Sequence, residues 1–329
     1  MPSAATSQFI VESCVLNIER LILLVVLCMQ VSVAWAAPRL ALIADAYSAS
    51  QQVQMQLVQD LGLGRGGMLA ESKQAGETLA APPDIVIAVG LQSLRQAVHQ
   101  TAARQIISVL LTRAALEDET IQSGLRGERE LFAIVLDQPT TRYLDLLRIA
   151  LPQRTRVGVL LGPTTAGMQK VLERQAAERG LQLEAERLGL EDNLVVSLER
   201  LLVQVNVMLA LPDAVVHNRN TVQPLLLTTY RVGIPVLAYS EAYSQAGALL
   251  ALYSTPAQLA RQTAELGREL MVGRNPQKIS PPRYFTVGVN AAVARSLGLK
   301  LPDAATLNAR LVSSSSVVSG EEEKRFLNK

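Results

Sequence analysis

Few residues of this 329-residue chain are of a type that carries covalent chemistry. The two histidines, His99 and His217, each fall on a predicted helix, and neither has a second histidine or a carboxylate pair at metal-ligand spacing. A metal site is therefore not expected. No Gly-x-Ser-x-Gly turn offers a hydrolase nucleophile, and no Lys-Ser/Thr loop offers a phosphate cradle. "GLGRGG" (62–67) has dinucleotide spacing, but a predicted helix precedes it where a strand is required, so it reads as a flexible loop and no cofactor is expected. What remains is suited to grip rather than reaction. In "MLALPDAVVHN" (208–218) an apolar run stops at Asp213, which reads as a helix cap or a ligand-holding carboxylate. Ser93, Thr164 and Thr165 stand at predicted helix starts, where hydroxyls and amides can face an anion or simply cap the helix.

These residues share one kind of place. Buried strands are predicted at "RLALIAD" (39–45), "DIVIAVG" (84–90), "QIISVLLT" (105–112) and "LFAIVLDQP" (131–139). After a restart come "TRVGVLLGP" (155–163), "LQLEAERL" (181–188), "VNVMLALPD" (205–213) and "IPVLAYSE" (234–241). Helical patterns lie between them, which means parallel sheets covered on both faces. Strand ends at Asp45, Gly90, Thr112, Gly162, Asp213 and Ser240-Glu241 then line the edge where α/β proteins bind ligands. "GALLALYS" (247–254), a long helix from 255 to 273, "YFTVGVN" (284–290) and a short last helix are too little for a third domain and must add to the first two.

Length fits two domains. The chain is 49% apolar and 18% charged with net charge +2, so no broad basic field is available for nucleic acid. "LILLVVLCMQVSVA" (21–34) follows Arg20 and leads to Ala34-Trp35-Ala36, a small-x-small cleavage pattern. It is short of the ~20 apolar residues of a membrane span. Residues 1–36 are thus expected to be a signal peptide, with an uncleaved anchor or lipidation at Cys28 as lesser alternatives. Both cysteines, Cys14 and Cys28, lie in it, so the mature chain is expected to have no disulfide or thiol chemistry.

The second half carries a family resemblance. Pro-Asp follows a strand, then come an "IPV" strand, a Gly-Ala strand and a long helix closing at "GRNP" (273–276). "NAAVARSLGLKLP" (290–302) ends the series, and "VLDQPTTRYLDLLRIALPQRTRVGVLLGP" (135–163) matches the start of a second lobe. This resembles the ABC-transporter substrate-binding proteins of the type I periplasmic-binding fold, relatives of the tryptophan/tyrosine transport binders. The resemblance implies two doubly wound parallel-sheet lobes joined by a three-crossing hinge, and no enzymatic activity. The expected division is lobe one at 37–136 plus 247–284, lobe two at 139–241 plus 289–312, and a disordered tail at 313–329. Crossings are expected at 137–139, 241–247 and 284–290. "LTRAALEDE" (111–119) departs from the family's Asp-Pro-rich stretch, and aromatics are few, so the relatives' ligand does not transfer.

The expected function is an exported, periplasmic, monomeric solute-binding protein that closes on a small molecule and delivers it to an ABC permease. Candidate contacts are Tyr47, Ser93, Thr112 and Arg113 from lobe one, with Gln138, Thr164, Thr165, Asp213, Asn218 and Glu241 from lobe two. Arg113 suits a carboxylate and Asp213 or Glu241 an ammonium, which favours an amino-acid-like or small organic ligand over a sugar. A ligand-sensing or scaffold protein of the envelope is the alternative. A two-domain Rossmann-like transferase is less favoured, because no phosphate-gripping loop or base is visible.

Overall fold

The computed structural model describes residues 38–64, 66–125 and 127–314. Among the described residues twelve strands form two sheets. The first holds β1 (Leu40–Ala44), β2 (Leu69–Gln74), β3 (Ile85–Val89), β4 (Gln105–Leu111), β5 (Glu130–Val135) and β11 (Ile279–Ser280), in the order β11-β5-β4-β3-β1-β2. The second holds β6 (Arg156–Leu161), β7 (Gln182–Arg187), β8 (Val207–Leu209), β9 (Val236–Ala238), β10 (Leu250–Tyr253) and β12 (Thr286–Val289), in the order β12-β10-β9-β8-β6-β7. All pairings are parallel except β10 with β12. These are two doubly wound lobes of the type I periplasmic-binding arrangement.

The continuous apolar runs have a simple cause. Each central strand has helices on both faces, so both sides of its pleat must be apolar. Leu40, Leu42 and Ala44 of β1 enter one core with the helices Ser48–Leu61 and Pro256–Met271, while Ala41 and Ile43 enter the core beneath helix Leu91–Gln100. In lobe two, Val207 and Leu209 point to one core, and Met208 and Ala210 to the other.

The chain crosses between lobes three times, and the second and third crossings differ from the sequence expectation. The first crossing follows β5, through Leu136 to Pro139. The second was expected at 241–247, with 247–254 in lobe one. Instead β10 sits inside the lobe-two sheet, pairing Leu250 with Leu237 of β9 and with Val289 of β12, and the chain leaves at Ser254-Thr255. The reason is the partner strand: β12 supplies an antiparallel edge that lets an apolar β10 be buried on both sides. Helix Pro256–Met271 does return to lobe one, started by a reciprocal capping box between Thr255 and Gln258. The third crossing runs from Ser280 to Thr286, earlier than 284–290.

Other expectations also change. β2, "LAESKQ", is an edge strand with one buried residue and no apolar alternation, and was not expected. Gly62, Gly64 and Gly67 are held by backbone hydrogen bonds that lead into β2. Gly64 N–H donates to Leu69 O and Gly67 N–H to Gly64 O, and a Cβ on Gly67 would lie 2.4 Å from the Gly62 carbonyl carbon. His217 and Asn218 lie in turns, and the next helix begins only at Val222. Ser313 and Ser314 lie in a helical stretch, residues 304–314, rather than opening a tail. The leader and the rest of the tail fall outside the described residues. No helix among the described residues is long and apolar enough to cross a membrane.

Candidate functional site

A carboxylate organises the strand-end loops of each lobe. In lobe two, Asp213 follows β8 and reaches the loop after β6. Its Oδ2 accepts from the Thr164 hydroxyl (2.6 Å) and amide (3.1 Å), and from the Thr165 hydroxyl (3.0 Å) and amide (3.1 Å). Its Oδ1 accepts from the amides of Val215 (3.0 Å) and Val216 (3.4 Å). Asp213 is 4% exposed. Burial pushes its carboxyl up, but the Thr164 and Thr165 hydroxyls and the two amides outweigh this and hold it below the usual carboxylate range. In lobe one the direction is reversed. Asp45, after β1, accepts from the Gln92 amide (3.1 Å) and from the amide (2.7 Å) and hydroxyl (2.6 Å) of Ser93, in the first turn of helix Leu91–Gln100 after β3. A glycine makes room each time: a Cβ on Gly90 would lie 2.4 Å from Asp45 Oδ2, and one on Gly162 would lie 2.2 Å from Asp213 Oδ1.

The Asp213 clamp holds one wall of a cavity of about 370 Å³ at the hinge end of the interlobe cleft, while Asp45 borders a separate lobe-one cavity. Lobe one contributes Thr112, Arg113 and Glu117 after β4; lobe two contributes Thr164, Thr165 and Met168 after β6, and Leu211 and Pro212 after β8. Asp137 and Gln138 of the first crossing form its back. Backbone geometry aims the lobe-one part. Pairing of β4 with β5 shifts register between Val109 and Leu111, and Leu110 takes a left-handed conformation with φ 67°. Such a bulge re-aims the residues that follow it. Thr112 then caps helix Arg113–Leu116, and the Arg113 amide donates to Asp137 Oδ2 at 2.6 Å. The Arg113 side chain is in none of the ion pairs among the described residues. One guanidinium facing Glu117 and Asp137 across a partly apolar wall can grip a small molecule carrying both signs of charge.

Of the residues singled out from sequence, the structure thus brings Thr112, Arg113, Gln138, Thr164 and Thr165 to one cavity, with Asp213 directly behind it. Gln138 also binds the hinge together: its Nε2 donates to Ser254 Oγ (2.9 Å), whose hydroxyl donates to Tyr284 O (2.6 Å). The others lie elsewhere. Ser93 is fully buried against Asp45. Asn218 donates to the Ala214 and Val215 carbonyls and accepts from the Asn220 amide. Tyr47 is 68% exposed beside a second cavity of about 550 Å³, larger but built from lobe one alone. Glu241 opens helix Glu241–Ala246; after burial, its charge helps hold the Tyr253 phenol up. Glu117, Asp137 and Tyr143 were missed, although Asp137 obeys the strand-end rule that singled out Asp45. Among the described residues no group of His, Cys, Asp and Glu is placed to hold a metal.

Next to the clamp, His217 packs against Tyr239 in a tilted arrangement and against Tyr243 edge-on, at ring-centroid distances of 5.8 and 5.6 Å. Its Nδ1 lies 3.0 Å from the Tyr243 hydroxyl, and Nε2 is buried without a partner among the described residues. Burial holds it neutral, drawing its pKa down to about 4 against the opposing charge of Asp213.

Comparison with known proteins agrees with this geometry. The family model described as ABC transporter substrate binding protein matches residues 84–312. No curated protein matches the chain. Among solved structures, a ligand-free, open substrate binding protein with adhesive properties from Clostridium difficile superposes with TM-score 0.61 at 15% identity, covering 81% of this chain and 96% of that one. A conserved domain protein from Vibrio cholerae gives TM-score 0.54 at 17% identity, covering 83% and 98%. An ABC domain in complex with L-Trp from Streptococcus pneumonia gives TM-score 0.52 at 13% identity, covering 80% and 96%. At these identities the likeness is one of fold.

Proposed function

Because the chain belongs to the ABC transporter substrate-binding protein family, we propose that it is an exported binding protein that captures a small solute between its lobes and hands it to an ABC permease. The observation that carries this reading is the cavity walled by Thr112 and Arg113 from one lobe and Thr164 and Thr165 from the other. A solute held there bridges both lobes, so binding favours the closed arrangement. The charges favour an amino-acid-like or small organic zwitterion: its carboxylate would meet Arg113, and its ammonium Glu117 or Asp137. The 21–36 leader pattern supports export.

A thermal-shift screen against amino acids, nucleosides, sugars and organic acids tests the reading, since a ligand of the folded state raises Tm by mass action. A hit among amino or organic acids is expected. Arg113→Ala should then weaken binding by about tenfold or more, as measured by calorimetry, while leaving the Tm of the free protein within a degree or two. A hit whose affinity is unchanged in that variant would refute the assignment of Arg113.

A further inference from the structure

A third cavity, of about 330 Å³, lies at the hinge, where Pro281 borders both it and the cleft cavity. Its polar wall is Arg142, Arg283, Glu269, Gln262, Gln277 and Ser280. Most of these groups are already engaged. Arg283 pairs with Glu265 at 3.0 Å, and its amide donates to Gln262 Oε1 at 2.7 Å. Gln262 Nε2 donates to the Pro281 carbonyl.

Arg142 differs. It projects from helix Thr140–Ala150, just past the first crossing. One nitrogen, Nη1, donates to Gln138 Oε1 and to the Pro282 carbonyl (2.9 Å), and the guanidinium carbon lies 4.3 Å from the centre of the Phe285 ring. All three partners are neutral. Arg142 is in none of the ion pairs among the described residues. Burial draws its pKa down to about 10, still well above neutral pH, so the charge persists. Arg142 is half-buried, and a cation drawn partly out of water is normally paired. Here its Nε and Nη2 have no protein acceptor among the described residues, and the residue forms part of the cavity wall.

We propose that this cavity is an anion site, in which Arg142 grips a small oxyanion by a bidentate pair. A carboxylate and an inorganic phosphate share that chemistry. Gln277 stands on the same wall and can supply a further donor, while the Ser280 hydroxyl already donates to the Ala133 carbonyl. The site touches two of the three crossings, because Arg142 already joins Gln138 in the first to Pro282 in the third. An anion held there grips the segments about which the lobes turn, so its occupancy and solute capture are linked, each altering the affinity for the other by the same factor.

The test uses the full chain with sodium acetate and sodium phosphate, each against sodium chloride at equal ionic strength. Tm and calorimetric heats are followed to saturation. A saturable, single-site response to one of the two anions is expected, and which one responds more strongly identifies the oxyanion. Arg142→Gln should weaken it at least ~10-fold. Glu269→Gln removes the like charge facing the anion and should strengthen it severalfold. Gln277→Trp, an exposed change that narrows the cavity without touching Arg142, should weaken it, which keeps the test decisive if Arg142→Gln fails to fold. The proposal is overturned if neither anion gives a saturable response beyond chloride, or if wild type, Arg142→Gln and Gln277→Trp respond alike.

Discussion

At Asp213 six donors meet two carboxylate oxygens, and that arrangement sets what a substitution must do. Asp213→Asn keeps the shape but turns an NH₂ group toward donors. Buried donors left unpaired cost ~1–3 kcal/mol each, so a loss on the order of 3 kcal/mol is expected in chemical denaturation. A change below ~1 kcal/mol, the worth of an ordinary cap, would contradict the clamp. Because the folded carboxyl titrates below its unfolded value, its stabilising contribution is complete above the unfolded pKa and disappears as pH falls through the lower folded one. His217 acts in a different window. Its folded pKa of about 4 lies below the unfolded 6.5, so the unfolded chain takes up a proton first. Stability should therefore fall from about pH 6.5 down to about pH 4, by roughly 1.4 kcal/mol per pH unit from this group alone. His217→Phe should flatten the Tm–pH slope there; an unaltered slope would mean the ring is not held neutral. Asp213 was legible in the sequence as a strand-end carboxylate. Its saturation by the 164–165 loop was not, because that partner lies 48 residues away.

Loops joining strand to helix carry the next level. Gly90 and Gly162 let a carboxylate from a neighbouring strand pass close to the backbone. Gly162→Ala places a methyl 2.2 Å from Asp213 Oδ1, so either the clamp opens or the loop moves. Overpacking of this kind costs ~1–3 kcal/mol, and here it also breaks hydrogen bonds, so a loss at the top of that range is expected by urea melt, with weaker solute binding. Wild-type stability in the variant would show that the close approach is not needed. β1, β3 and β6 could be read from sequence because both faces are buried and the apolar run is unbroken. β2 could not, since an edge strand with one buried residue leaves no periodic trace. The bulge at Leu110 was invisible for a similar reason: nothing in "SVLLT" marks the third residue for a left-handed conformation.

For the whole molecule, the layout of two sheets followed from alternating strands and helices, while the crossing points did not. Which sheet receives β10 depends on its pairing with β12, more than thirty residues later, and no local pattern reports that pairing. The strand-end rule gathered Thr112, Arg113, Thr164 and Thr165 around one cavity. It misplaced Ser93 because a hydroxyl at a helix start serves the neighbouring strand's carboxylate as readily as a ligand. In this reading one solute touches both lobes at once. Hydrogen–deuterium exchange with and without the strongest hit from the solute screen tests it most directly. The account predicts simultaneous protection of 112–117 in lobe one and 164–168 in lobe two; protection confined to one lobe, for instance around Tyr47 and Gln96 at the larger lobe-one cavity, would contradict it.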